Sequence, residues 1–490
     1  MTEACDLDAV EARRLIGQKS LSVAELTESC IRRIEEVDPA VNAMVARDFS
    51  RARAAAAACD VAVARGDALG PLHGLPLGVK DLDDVAGLRT TYGSPLYRDH
   101  VPARDLGVVA RCRAAGAIVL GKTNTPEWGA GANTRNAVYG ATGNPFDPVR
   151  SAAGSSGGSA VALATGMVPI ATGSDMGGSL RNPAAFCGIV GFRPSPGLVP
   201  AEQRGLGWSP LSVLGPMART VPDLCLLLSA MAADDGRDPL SGAGPRPPAV
   251  PAVVDLAGLR VALTPDFGMA PTERAVAATF VEKTSLFRHV FAVAEEASPD
   301  CHGTDEVFEV LRATAALAAH GARVRDTPDQ VGPNVHRDVA YGTTLSAADV
   351  AEAMAKQTVL YRRWQAFMDR YDVILAPSVT ITPRPWTELY PAEIDGKPTR
   401  TYFHWLALAY AVTIVGHPAV SLPVGLDAAG MPFGLQVVGR RGGDAAVLAV
   451  AAALERLLAG DPRTARPQPG LAALRAAPPL RNAAGFMGFG

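Results

Sequence analysis

No two cysteines in this chain stand at Cys-x-x-Cys spacing. The seven (Cys5, Cys30, Cys59, Cys112, Cys187, Cys225 and Cys301) are odd in number and scattered, which argues against a disulfide framework or a zinc site and suits reduced thiols in the cytoplasm. Charge is scarce as well: charged residues are 19% of the 490, and the formal net charge is −3. There is no clustered basic stripe of the kind that binds nucleic acid. Residues 1–17 carry charge throughout and lack the apolar centre of a signal peptide. The uncharged stretch from residue 405 to 415 continues towards Val424, but Gly416, His417, Pro418 and Pro423 interrupt it. Pro423 would sit badly in a spanning helix, so the stretch reads as buried core leading into a strand, with no membrane partner. Repeats, low-complexity tracts and clear linkers are missing too, which leaves one domain spanning residues 1–490. The 48% hydrophobic content suffices for a large core and excludes disorder.

Glycine, by contrast, is concentrated. Residues 151–191 hold two clusters, Gly154-Ser155-Ser156-Gly157-Gly158-Ser159 and Gly177-Gly178-Ser179. Glycine loses the most backbone entropy on folding, so clusters mark unusual dihedrals or a backbone that must approach a ligand. A flexible linker would also be rich in glycine and serine. Here the intervening Ala160, Val161, Leu163, Met167, Val168 and Ile170 are too apolar for one.

Ser22 followed by Glu25 is a capping-box pattern, and Val23, Leu26, Cys30, Ile34 and Val37 recur at helical spacing to about Asp38-Pro39. An alanine-rich helix follows over residues 50–65, completing a helical lead-in of residues 1–66. A catalytic core over 67–235 contains a short apolar strand ending in Lys80. It continues as a helix over 105–115, a strand over 117–120 and a polar turn, Gly121-Lys122-Thr123-Asn124-Thr125-Pro126-Glu127-Trp128. Helix, strand and loop keep alternating to Phe192, which argues for an α/β sheet with helices on both faces and functional loops at the strand ends. Residues 241–253 read as an exposed connection and 270–370 as a mostly helical variable region without an assignable motif. The segment 371–460 returns to the core sheet with strands at 373–377, 419–423 and 434–439, then a helix over 444–458. The tail after Gly460 reads as loose.

Ser179 follows a glycine pair and opens a helix-like run. Unpaired N–H groups at a helix start would stabilise an anion forming beside it, which is what acyl transfer needs. A plain N-cap role is the alternative. No histidine sits in a motif pointing at this serine, and His73 reads as structural. Gly154-Ser155-Ser156-Gly157-Gly158 formally matches G-x-S-x-G, but residues 144–150, with Pro145 and Pro148, are no strand, so a nucleophile elbow is rejected. Lys80 could serve as base if burial leaves it neutral, although a lysine at a strand end is also an ordinary surface charge.

Lys80-Asp81, the Gly-Ser-Ser-Gly-Gly-Ser cluster and Asp175-Met176-Gly177-Gly178-Ser179, in this order, resemble the amidase signature family of serine hydrolases. The likeness extends over nearly the whole chain, through residues 215–220 and 418–421. The resemblance implies a large mixed, twisted β-sheet core flanked by helices, with Ser179 as nucleophile, Ser155 as bridging serine after a cis peptide bond and Lys80 as base. It further implies an oxyanion hole from the N–H groups of Met176, Gly177, Gly178 and Ser179, and neither metal nor organic cofactor. At the positions that line the acyl pocket in relatives taking fatty acyl amides, this chain has Gly129, Ala130 and Ala132. That leaves a wide pocket for a small-molecule substrate: bulky or aryl amides, with carbamates and esters as further candidates. Trp128 and Trp208 are either its walls or core residues. The family also includes the glutamine-hydrolysing component of tRNA-dependent amidotransferases. Those components typically have glutamine where this chain has Asn182, so a free hydrolase, monomer or homodimer, is expected. A silent binding protein is disfavoured because Lys80, Ser155 and Ser179 are all present.

Overall fold

The computed structural model describes residues 3–242 and 244–488. In chain order its strands are β1 (Met44–Arg47), β2 (Pro76–Lys80), β3 (Ile118–Thr123), β4 (Arg135–Asn136), β5 (Gly140–Ala141), β6 (Ile170–Asp175), β7 (Val190–Arg193), β8 (Val213–Ala218), β9 (Arg260–Leu263), β10 (Val293–Glu296), β11 (Val373–Pro377), β12 (Glu393–Ile394), β13 (Lys397–Pro398), β14 (Ala419–Leu426) and β15 (Pro432–Val438). β4 with β5, and β12 with β13, form small separate ladders. The others make one sheet in the order β1-β3-β2-β6-β8-β7-β14-β15-β11-β9-β10. β2 runs parallel to β3 and β6, and β9 runs parallel to β10 and β11. The remaining pairings are antiparallel, so the sheet is mixed, as expected. β2, β8 and β15 are buried at every position. Sheets covered on both faces read as unbroken apolar or small-residue runs rather than alternating ones.

The expected capping serine is used: Ser22 Oγ accepts from the Glu25 N–H at 3.0 Å and starts the helix Val23–Val41. The stripe Val23, Leu26, Cys30, Ile34 and Val37 is buried. This helix runs past Pro39 and stops at Asn42, which takes a left-handed conformation (φ 54°). The apolar run near residue 410 forms the fully buried helix Ala407–Val415 and then β14, which contains Pro423. No helix among the described residues is long and apolar enough to cross a membrane.

Three expectations need correction. The strands β1, β8 and β9 lie outside those read from the sequence: β1 and β9 are four residues long, and Gly215-Pro216 interrupts the apolar run of β8. The region 270–370 is helical, as Arg274–Ser285, Thr304–Asp326, Pro333–Thr344 and Ala347–Met368, but it also contributes β10 to the sheet edge. The tail is docked rather than loose. Its helix Leu471–Ala476 buries Leu474, and Arg475 pairs with Glu36 at 2.8 Å and Glu3 at 3.1 Å near the other end of the chain.

The helix Gly157–Ala164 sits tight against the end of β3. A Cβ at Gly158 would lie 2.2 Å from the Asn124 backbone nitrogen and 2.8 Å from the Ala43 carbonyl oxygen. Backbone cannot yield as a side-chain tip can, so Gly158→Ala is expected to destabilise by at least about 1–3 kcal/mol. Gly205→Ala, with nothing within 4 Å of the added atom, is expected to be nearly silent. Urea unfolding of the two variants side by side checks both.

Candidate active site

β2 and β6 are neighbouring parallel strands, so their carboxyl ends open on the same edge of the sheet, where α/β proteins build their sites. β2 ends in Lys80 and β6 in Asp175. The chain then turns through Met176-Gly177-Gly178-Ser179 into the helix Arg181–Cys187. Ser155 and Ser156 come from the loop that leads into Gly157–Ala164. Gly173 in β6 permits their approach, since a Cβ there would lie 2.9 Å from Ser156 Oγ.

Lys80 is wholly buried, not a surface charge. Its Nζ lies 2.7 Å from Ser155 Oγ, 2.9 Å from Ser156 Oγ and 2.9 Å from Ser174 Oγ. Among the described residues no carboxylate comes within ion-pairing distance of it. Lys122, beside it on β3, is equally buried but has Asp81 at 3.7 Å. Burial pushes the Lys80 amine down to about 7, against the opposing pull of Asp83 and Asp175. Asp83 is linked to it indirectly: Thr172 Oγ1 accepts from the Lys80 backbone N–H at 3.0 Å and donates to Asp83 Oδ2 at 2.9 Å.

The Gly154–Ser155 peptide bond is cis. Ser155, Ser174 and Ser179 line one cavity of about 170 Å³. The Ser156 N–H donates to the Ser179 carbonyl at 3.2 Å and ties the two glycine-serine segments together. Ser179 is not an N-cap; Leu180 holds that position, and the helix begins at Arg181. His320 also lines the cavity, but it stacks on Trp128 and hydrogen-bonds none of the serines; desolvation pushes it down to about 4. His73 has its Nε2 against the Cys59 carbonyl at 3.2 Å, away from these groups.

Asp175 organises the turn. Its Oδ1 accepts from the Gly178 N–H at 3.0 Å and its Oδ2 from the Leu180 N–H at 3.2 Å. Arg181 and Arg193 pair with it at 2.9 and 3.2 Å, and all three side chains are fully buried. Burial alone would raise the carboxyl, but the two guanidiniums outweigh it and hold Asp175 well below the usual carboxylate range. The Gly178 N–H is therefore engaged, contrary to the expectation that counts it among the donors for an anion. The N–H groups of Met176, Gly177 and Ser179 have no hydrogen-bond partner among the described residues.

Of the expected pocket residues, Trp128, Gly129 and Ala130 line the cavity. A Cβ at Gly129 would lie 3.2 Å from Ser155 Oγ, so glycine keeps the space beside that hydroxyl open. Ala132 does not line it; it is packed under Gly154. Trp208 is neither wall nor core: it is 78% exposed in an irregular loop that leaves the indole in solvent. Sequence reasoning missed Ser156 and Ser174 on Lys80, and on the far wall Arg312, Asp338 and Tyr402. Arg312 pairs with Asp338 at 3.0 Å, and Tyr402 OH donates to Asp338 Oδ2 at 2.6 Å. These come from helices and a loop without any local signature.

A family model described as Amidase matches residues 25–448. The chain belongs to the amidase signature family. It is 34% identical over 453 residues to an acylamidase of Rhodococcus erythropolis, an alignment covering 92% of this chain and 95% of that protein. The A component of the glutamyl-tRNA(Gln) amidotransferase of Geobacillus kaustophilus is 33% identical over 477 residues, covering 92% and 97%. Among solved structures, a bacterial aryl acylamidase of the amidase signature family superposes with a TM-score of 0.86 at 27% identity, over 96% of this chain and 98% of that one. The amidase is thus an α/β enzyme that hydrolyses carbon–nitrogen bonds of amides.

Asp175→Asn removes a carboxylate shared by two buried guanidiniums of this amidase. It is expected to cost about 3–5 kcal/mol in urea unfolding at neutral pH. A depressed folded-state value means that the stabilisation is present above the unfolded aspartate's range and is lost only as pH falls through the lower folded value. The gap between wild type and variant is therefore expected to narrow only in strong acid.

Proposed function

We propose that this amidase works through a Ser179–Ser155–Lys80 relay and an acyl-enzyme. The observation that carries the reading is a buried lysine without a counter-ion, 2.7 Å from Ser155 Oγ, in a site whose cavity also holds Ser179. A neutral amine has two N–H groups and one lone pair, which matches three surrounding hydroxyls: Ser156 and Ser174 accept, and Ser155 donates. Lys80 takes the Ser155 proton as Ser155 takes that of Ser179, and Ser179 Oγ bonds to the substrate carbonyl carbon. The negative oxygen then falls to the free N–H groups of Met176, Gly177 and Ser179. As the C–N bond breaks, Ser155 returns a proton to the departing nitrogen and is reprotonated by Lys80. Water, deprotonated along the same path, cleaves the ester and restores Ser179.

Gly129 and Ala130 leave room beside the serines, and the Trp128–His320 stack gives a flat wall. Both support bulky or aryl amides, as does the likeness to an aryl acylamidase. Carbamates and esters offer the same carbonyl to the same attack. The seven unpaired cysteines suit a cytoplasmic enzyme acting as monomer or homodimer. Identity to the amidotransferase component favours a second reading, glutamine hydrolysis inside a complex. Against it, the ionic groups of the inner wall, Arg312 and Asp338, already pair with each other at 3.0 Å instead of awaiting a zwitterion.

Ser179→Ala and Lys80→Ala are expected to lower kcat/KM on an aryl amide at least about a thousandfold while the proteins stay folded. An activated-serine reagent is expected to label Ser179 by peptide mapping; a label elsewhere, or purified protein preferring glutamine, would overturn the assignment. Because Lys80 must be uncharged, kcat/KM should fall about tenfold per pH unit below about 7 and level off above it. A rate–pH profile checks this, and a profile flat from pH 5 to 9 would remove Lys80 as the base.

A further inference from the structure

The cavity beside the serines does not end there. A second one of about 590 Å³ adjoins it and shares the wall formed by Leu82, Trp128, Met176, Ser212, Ala319 and His320. The two are lobes of one cleft that meet at the Trp128–His320 stack, whose rings lie 4.8 Å apart at 29°. Trp128 is held there in a left-handed backbone conformation (φ 44°), with its N–H donated to the Tyr92 carbonyl at 2.7 Å. A non-glycine residue kept in that region marks a position that the surrounding structure enforces. His320 Nδ1 is buried in this wall without a hydrogen-bond partner among the described residues.

Arg323 closes the outer lobe. Its guanidinium carbon lies 5.5 Å from the Trp128 ring centre and 5.9 Å from that of Tyr97; its Nη2 donates to Tyr97 OH at 3.3 Å and its Nη1 to the Ala319 carbonyl of its own helix. Among the described residues no carboxylate stands within ion-pairing distance of Arg323. Of the other charged groups of the cleft, the two arginines have carboxylate partners, whereas Asp84 has only a neutral phenol among the described residues. Asp84 accepts from Tyr92 OH at 2.6 Å, Arg204 has Asp238 at 3.4 Å, and Arg312 in the inner lobe has Asp338 at 3.0 Å. The cleft therefore offers a small lobe with the serines, a flat aromatic step, and beyond it a half-buried guanidinium that has no carboxylate partner among the described residues.

We propose that the outer lobe selects amides whose amine half is an aromatic ring bearing a carboxylate, with Arg323 receiving that carboxylate. The ring lies along Trp128 and His320, and the planar guanidinium, steadied by two aromatic faces, meets the carboxylate with the N–H groups not already given to Ala319 and Tyr97, a fork that lysine cannot reproduce. The inference rests on the amidase reading only in placing the scissile carbonyl at Ser179.

Binding tests it separately from turnover. In the full-length Ser179→Ala protein, titrated by calorimetry at low salt, para- or meta-acetamidobenzoate is expected to bind at least about tenfold more tightly than acetanilide. Adding Arg323→Gln should bring the ratio of affinities to about one, and Arg323→Lys should keep part of it. Raising ionic strength should shrink the ratio in the parent. Equal affinities in Ser179→Ala, or a ratio that survives Arg323→Gln, would overturn the proposal. If Arg323→Gln does not fold, the parent's ratio and the Arg323→Lys ratio still decide it. Hydrolysis of acetanilide by the unaltered enzyme reports on the amidase reading alone.

Discussion

An amine placed in a protein interior with no acid beside it cannot stay charged cheaply, and the site of this amidase is built around that constraint. Lys80 meets three hydroxyls and no carboxylate, while Lys122 on the adjacent strand is given Asp81. Desolvation favours the neutral amine, and hydroxyls accept either protonation state without fixing a charge. Everything near Lys80 follows from holding it there: parallel β2 and β6 place it beside the turn after Asp175, and Gly173 lets Ser156 reach it.

The second constraint is the opposite case, a charge that stays charged. Asp175 is buried with two arginines, and its oxygens also hold the Gly178 and Leu180 N–H groups. A buried ionic group of this kind gains little net stability over an apolar equivalent. What it supplies here is one fixed shape for the turn carrying Ser179, with the Met176, Gly177 and Ser179 N–H groups left without a hydrogen-bond partner among the described residues. An amine whose charge burial disfavours and a paired carboxylate sit at the ends of neighbouring strands.

Much of this was legible in the chain. Strong local signals survived intact: the Ser22 cap, the strand ending at Lys80, the strand Val373–Pro377 and the helix Asp444–Leu458. They depend on neighbours within a few residues. The tail helix was hidden because what orders it, Glu3 and Glu36, lies at the other end of the chain, and β8 and β10 because neither is a continuous apolar run. Trp208 misled for a related reason: an aromatic residue in a glycine-rich segment reads equally as wall or core, and only the path of the loop shows that it faces solvent.

The sequence by itself determined the α/β class and, through three motifs in a fixed order, the family resemblance that implied Lys80, Ser155 and Ser179 as one site. The tertiary structure decided how those groups are satisfied. Gly178 turned out to serve Asp175 rather than face the cavity, and Ser156 and Ser174 joined Ser155 around Lys80. It also decided the far wall, where Arg312, Asp338, His320 and Arg323 arrive on helices that carry no motif. Hydrogen-bond partnership and charge pairing are properties of distance in space, and residues separated by hundreds of positions acquire them only when the sheet brings their elements together.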